Sequence, residues 1–295
     1  MIGHLPPYRV EAVAHALPSS GVDWAIRGYG IPALWSRHQG AGMRVAVLDT
    51  GVEPGHPALS GAVKEHRNFT SDYTPYDTNG HGTHVAGVLA ARGPMTGVAP
   101  AAEIISCKVL GNNGSGSLTH VAEAIDFAVE AQVHIIVMSL GCPISQDYLR
   151  SACKRAYDAG VAVVCAAGND GGSVNYPAAY DSVVAVGAVD REGNVCEFSC
   201  RGKEIAVAAP GFQITSAWVG GKYATLSGTS MAAPFVAGTL ALYAAQCGTR
   251  NLSAVAEKAL RETSTDAGPP GKDETYGWGL INPLAIVGNG CRLVI

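Results

Sequence analysis

Six apolar, strand-length runs recur along the 295 residues, separated for the most part by stretches with the length and patterning of helices. The runs are Arg44–Asp49, Ile104–Leu110, Val133–Leu140, Val161–Ala166, Val183–Val189 and Glu204–Ala208. Arg44–Asp49 is a continuous apolar run ending in a carboxylate, as expected of a buried parallel strand with a functional C-terminal end. Helices are expected over Gly80–Ala91, Leu118–Ala131, Gln146–Ala159, from Ser230 to about Gln246, and over Asn251–Glu262. Strand and helix alternate at the spacing of βαβ units. The expected fold class is therefore α/β, a three-layer parallel sheet with helices on both faces. Residues 23–295 read as a single domain, opening with an irregular lead-in over Asp23–Trp35 and a helical turn near Pro32–Trp35. Residues 1–22 are Pro-rich and aperiodic, an extended arm. Ligands of such sheets bind beyond the carboxyl ends of the strands, and Asp49, Gly141 and Asn169 fall at or just past those ends.

Composition excludes several partners. Net charge is −4 and the 20 basic residues are scattered, so no basic stripe points to nucleic acid and no polybasic run to a membrane surface. The longest apolar runs, such as Ile135–Leu140 and Val161–Ala167, are far short of a membrane span. Met1-Ile-Gly-His-Leu-Pro-Pro-Tyr8 lacks the basic start and apolar centre of a secretory signal. A cytoplasmic location is the expectation, with a secreted chain that has lost its signal as the alternative. Of the eight cysteines, several lie in apolar runs and none forms Cys-x-x-Cys. Reduced core thiols are expected, not a zinc site.

The chemistry concentrates in Thr225–Leu240, which opens polar and glycine-broken and turns into a helix of small apolar residues. Ser230 stands at that junction, where a helix presents unpaired N–H groups able to stabilise developing negative charge. Pro234 is expected in or near the first turn, where a missing N–H costs least. Alone, the stretch reads as an N-capping serine on a buried helix. A serine hydroxyl becomes a nucleophile only beside a base, usually a histidine oriented by a carboxylate. Asp49-Thr-Gly51 ends the first strand, and Asn79-Gly-His-Gly-Thr-His84 opens the first long helix. Taken singly, the first is a strand-end turn and the second a candidate metal pair. The pair is not His-Glu-x-x-His, and no third ligand follows at helical spacing, so no metal site is expected.

Together, Val45-Ala-Val-Leu-Asp-Thr-Gly51, His81-Gly-Thr-His-Val-Ala-Gly87 and Gly228-Thr-Ser-Met-Ala-Ala-Pro234 resemble the subtilisin-like serine proteases, in the chain order Asp, His, Ser. The resemblance runs from about Asp23 to Asn282 and implies a serine endopeptidase of broad specificity working through an acyl-enzyme. It assigns Ser230 as nucleophile, His81 as base, Asp49 as the residue that orients it, and a structural role to His84. Ala166-Ala-Gly-Asn169 matches the motif whose asparagine amide donates to the oxyanion. Gly114-Ser115-Gly116 and Ser139-Leu140-Gly141 match the two edges that clamp an extended substrate as an added strand. Gly168 and Asn175 would line the first specificity pocket, and Leu118 a further one.

Two departures bear on calcium, which the family commonly binds. His56-Pro-Ala58 lacks the carboxylate expected there, and Ala90–Gly97 is too short for the usual ligand loop. Ala206 stands where a weaker site needs another carboxylate. No cofactor is needed for the chemistry, and calcium stays open. Leu5-Pro-Pro-Tyr8 resembles the arm of the intracellular subtilisins, which implies that residues 1–22 form a short inhibitory segment. Peptide or protein substrates are the expected partners, without nucleic acid or membrane, and a homodimer is left open. The triad does not separate hydrolysis from acyl transfer to an amine.

Overall fold

The computed structural model describes residues 1–17 and 21–288; Cys291 lies outside them. The arm contributes two strands, β1 (Ile2–His4) and β2 (Arg9–Ala14). A short helix follows, α1 (Trp24–Gly28), capped by Asp23, and then the central strand β3 (Arg44–Asp49). Next come β4 (Val63–Asn68), α2 (His81–Ala90), β5 (Glu103–Lys108), β6 (Ser115–Ser117) and α3 (Leu118–Glu130). Strand β7 (Ile135–Met138), helix α4 (Asp147–Asp158) and strands β8 (Ala162–Ala166), β9 (Val184–Val189) and β10 (Ile205–Pro210) complete the sheet. A hairpin, β11 (Ile214–Trp218) and β12 (Lys222–Ser227), leads into α5 (Thr229–Cys247), with α6 (Leu252–Thr263) and α7 (Pro283–Gly288) at the end.

Seven strands form one parallel sheet in the order β10-β9-β8-β7-β3-β5-β4. Successive residues of β3 enter opposite cores. Val45 and Val47 pack with α2 and α5, whereas Ala46 and Leu48 pack with α3 and α4. The same split divides Ile135 and Val137 from Ile136 and Met138 on β7. A strand buried on both faces can afford no polar alternation, and this is why these runs are uninterrupted. The order turns at β3, whose neighbours β5 and β7 lead the chain to opposite sides. The carboxyl ends of these strands meet at that switch point, where Asp49, Lys108 and Ser139 emerge.

The irregular lead-in is more ordered than its composition suggests. Asp23 Oδ1 accepts from Ala25 N at 2.8 Å and makes α1, and Ile31–Ala33 forms a 3₁₀ turn. Edge strand β4 carries Lys64, Glu65, His66 and Arg67 and so has none of the apolar signature of its neighbours. The small sheet β11-β12-β2 is antiparallel, and its third strand is the arm itself.

Candidate active site

Asp49 leaves β3 directly beneath the first turn of α2. The approach is so close that a Cβ on Gly82 would lie 2.1 Å from the carbonyl oxygen of Gly51. His81 Nδ1 then sits 2.8 and 3.0 Å from the two Asp49 oxygens, with both side chains fully buried. Asp49 Oδ1 also accepts from Thr50 N at 2.7 Å. A carboxylate only accepts, so Nδ1 carries the proton and Nε2 is left as the basic nitrogen. His84 does something else. Its Nε2 lies 3.1 Å from the carbonyls of Ile214 and Ala224, and burial pushes its pKa down to about 3. It is a neutral clamp between α2 and the β11–β12 hairpin.

Ser230 is the second residue of α5, and its hydroxyl is buried without a hydrogen-bond partner among the described residues. Pro234 is the sixth residue of that helix, just past the first turn and so near it, as the sequence implied. Having no N–H, it cannot serve the carbonyl four residues back, which is that of Ser230. Ser139 Oγ donates to this carbonyl at 3.0 Å instead. Asn169 is oriented by the neighbouring residue: its Oδ1 accepts from Thr229 N at 2.8 Å and Thr229 Oγ1 at 2.7 Å. Its Nδ2 is thereby turned toward Gly228, buried and unpaired, a donor aimed beside the serine.

The two edges expected to clamp a substrate are occupied by the chain's own arm. Strand β1 pairs antiparallel with β6, placing Gly3 opposite Gly116 and His4 opposite Ser115. On its other side His4 exchanges hydrogen bonds with Gly141, at 3.1 and 2.9 Å. Leu5 N donates to Gly114 O at 2.9 Å, and Leu118 packs on Gly3. Ser139 and Leu140 turn their side chains inward; the first holds Ser230 and the second joins the core. Pro6 and Pro7 carry the chain across the site to Tyr8, whose ring lies 4.8 Å from the His81 ring, centroid to centroid. Tyr8 OH donates to Asn79 Oδ1 at 3.4 Å. Burial, aided by Asp49 and Asp77, pushes its pKa up to about 12. Strand β2 then joins β12, which runs straight into Gly228 and Ser230.

Beside Asn169, Gly168 has φ +118° and would bring a Cβ to 2.2 Å from Asn175 Nδ2 and 2.7 Å from Cys200 Sγ. Cys200, unremarked in the sequence, donates its thiol to Asp170 Oδ1 at 2.8 Å. That bond, with one from Gly172 N, holds the Asp170 carboxyl below its usual range. Cys107, Cys142, Cys153, Cys165, Cys196 and Cys200 are buried thiols, Cys107 and Cys165 within the apolar runs.

The residues present do not fit the calcium sites common in this fold. Ala58 lies within a buried 3₁₀ turn, its carbonyl taken by Arg92 N at 2.7 Å, and Ala206 is buried on β10. Gly97 N closes on Ala91 O at 2.9 Å, leaving only a tight link after α2. Both key positions offer a methyl group where a hard cation needs oxygen.

A buried Asp–His pair, a serine at a helix start and an asparagine amide turned toward the glycine two residues before it are the parts of a serine hydrolase site on a subtilisin-like sheet. The Subtilase family model matches residues 40–279, and the chain belongs to that family, as a subtilisin-like serine endopeptidase. It is similar to the "Intracellular serine protease" of Paenibacillus polymyxa, 42% identical over 256 residues, covering 81% of this chain and 77% of the relative. The "Major intracellular serine protease" of Bacillus subtilis (strain 168) is 46% identical over 227 residues, 72% of this chain and 71% of the relative. "Subtilisin Savinase" of Lederbergia lenta is 40% identical over 273 residues, 90% and 99% respectively. Subtilases need no cofactor for catalysis, and the substrates are peptides or proteins.

Proposed function

We propose that this endopeptidase uses Ser230 as nucleophile, His81 as base and then acid, Asp49 to orient and stabilise the imidazole, and Asn169 with the Ser230 N–H as oxyanion donors. The observation that carries the assignment is the buried Asp49–His81 pair together with three buried polar atoms that have no hydrogen-bond partner among the described residues: His81 Nε2, Ser230 Oγ and Asn169 Nδ2. Unpaired buried polar atoms are costly, and these three are the atoms that acyl transfer would use. The hydroxyl attacks the scissile carbonyl carbon while its proton passes to Nε2. The oxyanion accepts from Asn169 Nδ2 and from the first-turn N–H. The imidazolium returns the proton to the leaving amine, and water repeats the sequence on the acyl-enzyme.

The substrate would lie as a strand between Gly114-Ser115-Gly116 and Gly141, with Leu118 under one side chain and Gly168 and Asn175 around another. Broad specificity is expected, favouring large apolar residues, because the Asp170 carboxylate is exposed and already engaged by Cys200. Residues 1 to about 20 act as an inhibitory arm. It follows the substrate's path on β1, and Pro6-Pro7 offers no normal scissile amide at the crossing. The location is cytoplasmic, in line with the two relatives whose names call them intracellular. The partners are peptide and protein substrates, without nucleic acid or membrane.

The test is covalent labelling by a fluorophosphonate, followed by mass mapping of cuts in a denatured protein substrate. Labelling at Ser230 and hydrolytic products are expected. Ser230→Ala should abolish the label and lower turnover roughly 10⁴–10⁶-fold. A label that survives the change removes Ser230 as nucleophile.

A further inference from the structure

A second buried carboxylate, Asp77, stands behind the Asp49–His81 pair and belongs to none of the roles above. It lies in the turn before α2, is 5% exposed, and accepts five hydrogen bonds. Its Oδ1 takes Thr50 Oγ1, Asn79 N and Gly80 N, each at 2.9 Å. Its Oδ2 takes Thr83 N at 2.9 Å and Thr83 Oγ1 at 2.7 Å. Two of these donors directly precede His81, two come from one residue in the first turn of its helix, and the fifth is the side chain that follows Asp49.

We infer that Asp77 is a positioning residue for the Asp49–His81 pair, acting through Thr50. The links close a ring. His81 Nδ1 bonds Asp49; Thr50 N bonds Asp49 Oδ1; Thr50 Oγ1 bonds Asp77 Oδ1; Gly80 N bonds the same oxygen and leads by one peptide back to His81. Thr50 is fixed from two further directions. Its Oγ1 accepts from Gly82 N at 2.9 Å, and its carbonyl accepts from the fully buried Lys108 Nζ at 2.8 Å. Lys108 in turn pairs with Asp72 at 3.3 Å. The strand end that carries the carboxylate and the helix start that carries the imidazole are thus one hydrogen-bonded unit. Without Asp77, four backbone or hydroxyl donors of the α2 start and the Thr50 hydroxyl would lose their acceptor together.

The charged and titratable groups facing this corner are Asp49 on β3, Tyr8 on the arm, His84 one turn along α2, and Lys108 with Asp72 behind Thr50. Burial pushes Asp77 upward, with the Asp49 charge adding to it, while the bonds from Gly80 and Thr83 oppose the rise. An ionised Asp77 also adds negative potential next to a ring that must become a cation in the transition state. That potential favours the imidazolium of the intermediate.

This inference rests on the triad reading, and the experiment separates the two. In the full chain, proton NMR reads the strongly downfield exchangeable proton of the Asp49–His81 bond, whether or not the arm is in place. Kinetics follow on chains matured by a trace of active parent enzyme, with the cut fraction measured by mass spectrometry and competent serines counted by fluorophosphonate. Asp77→Asn should remain folded and label Ser230 at a lower rate. Its KM should stay within about twofold while kcat falls roughly 10–100-fold, as for a group acting only through the transition state. The acid limb of kcat should move to lower pH by roughly half a unit to one unit, and the downfield signal should shift or broaden. Thr50→Val should reproduce the kinetic change and Thr50→Ser, which keeps the hydroxyl, should restore it. That pair decides the matter if Asp77→Asn does not fold. Parent-like kcat, or a loss of kcat with the acid limb and the downfield signal unmoved, overturns the positioning role. Absence of labelling in the parent itself would instead sink the triad reading.

Discussion

Replacing Asn169 separates two effects that meet in one side chain. In Asn169→Ala the Nδ2 donor is lost, and so is the Oδ1 acceptor that holds Thr229 N and Thr229 Oγ1 at 2.8 and 2.7 Å. The first loss falls on the transition state: turnover should drop about 10²–10³-fold, or ~3–4 kcal/mol, a scale that comes from subtilisin itself. The second falls on the folded state. A buried first-turn N–H stripped of its partner costs about 1–3 kcal/mol, which for a domain of this size lowers Tm by several degrees. Asn169→Asp divides them, since an aspartate still accepts from Thr229 but turns an anion, not a donor, toward the oxyanion. It should keep the parent's Tm to within a few degrees yet lose at least as much turnover as alanine. The assay is kcat and KM on a peptide ester, beside calorimetric melting of the same samples with Ser230 blocked. Unchanged turnover in both variants refutes the oxyanion role. A full-sized loss of Tm in Asn169→Asp refutes the argument that Oδ1 carries the stability.

Three further outcomes are expected. A chain beginning at Val22 should be active at once, and Pro6→Ala/Pro7→Ala should cut itself faster than the full chain; equal activity from the first moment in all three would leave the arm without a regulatory role. EDTA should spare most activity and thermal stability, because Ala58 and Ala206 carry no ligand oxygen; a large fall in Tm reversed by calcium alone would contradict this. Asp23, pushed up to about 6 by burial despite its bonds to Thr215 and Ala25, binds its proton more tightly folded than unfolded. Its contribution is therefore present below about pH 4 and is lost as pH rises through 6, roughly 2–3 kcal/mol in all. The stability of Asp23→Asn relative to the parent should rise across that window, whereas parallel curves would rule the effect out.

Much of this was legible before any coordinates. Strand β3 has the bounds its apolar run suggested, and the main helices begin and end within a residue or two of their expected limits, because a strand covered on both faces has a signature that survives without context. The residues proposed for the chemistry, Asp49, His81, Ser230 and Asn169, stand out in the sequence because long local motifs carry them. What escaped depends on contacts across the chain. Ser139 meets Ser230 from 91 residues away, and no pattern near either shows that Pro234 creates the vacancy. Asp77 falls outside every motif singled out in the sequence, although a carboxylate three residues ahead of Gly-His is a fair signal for a capped helix start. The β11–β12 hairpin was missed although Gly220-Gly221 marks its turn. Charged β4 offered no apolar run to find.

The arm is held at both ends of its crossing, by β1 in the cleft and by β2 on the sheet that feeds Ser230. A cut between β2 and α1 breaks the covalent link and leaves both sets of strand pairs intact. Cleavage and departure are therefore separate events. While joined, the arm faces its site at an effective concentration of about a millimolar, whatever the amount of enzyme. Once cut, the fragment of about 20 residues is an ordinary ligand, and its occupancy follows mass action. On the proposed inhibitory role, a concentrated preparation should keep its severed arms in place and a dilute one should shed them. Already-cut enzyme should thus gain specific activity on dilution, with a delay set by the unpeeling of two strands and independent of further proteolysis.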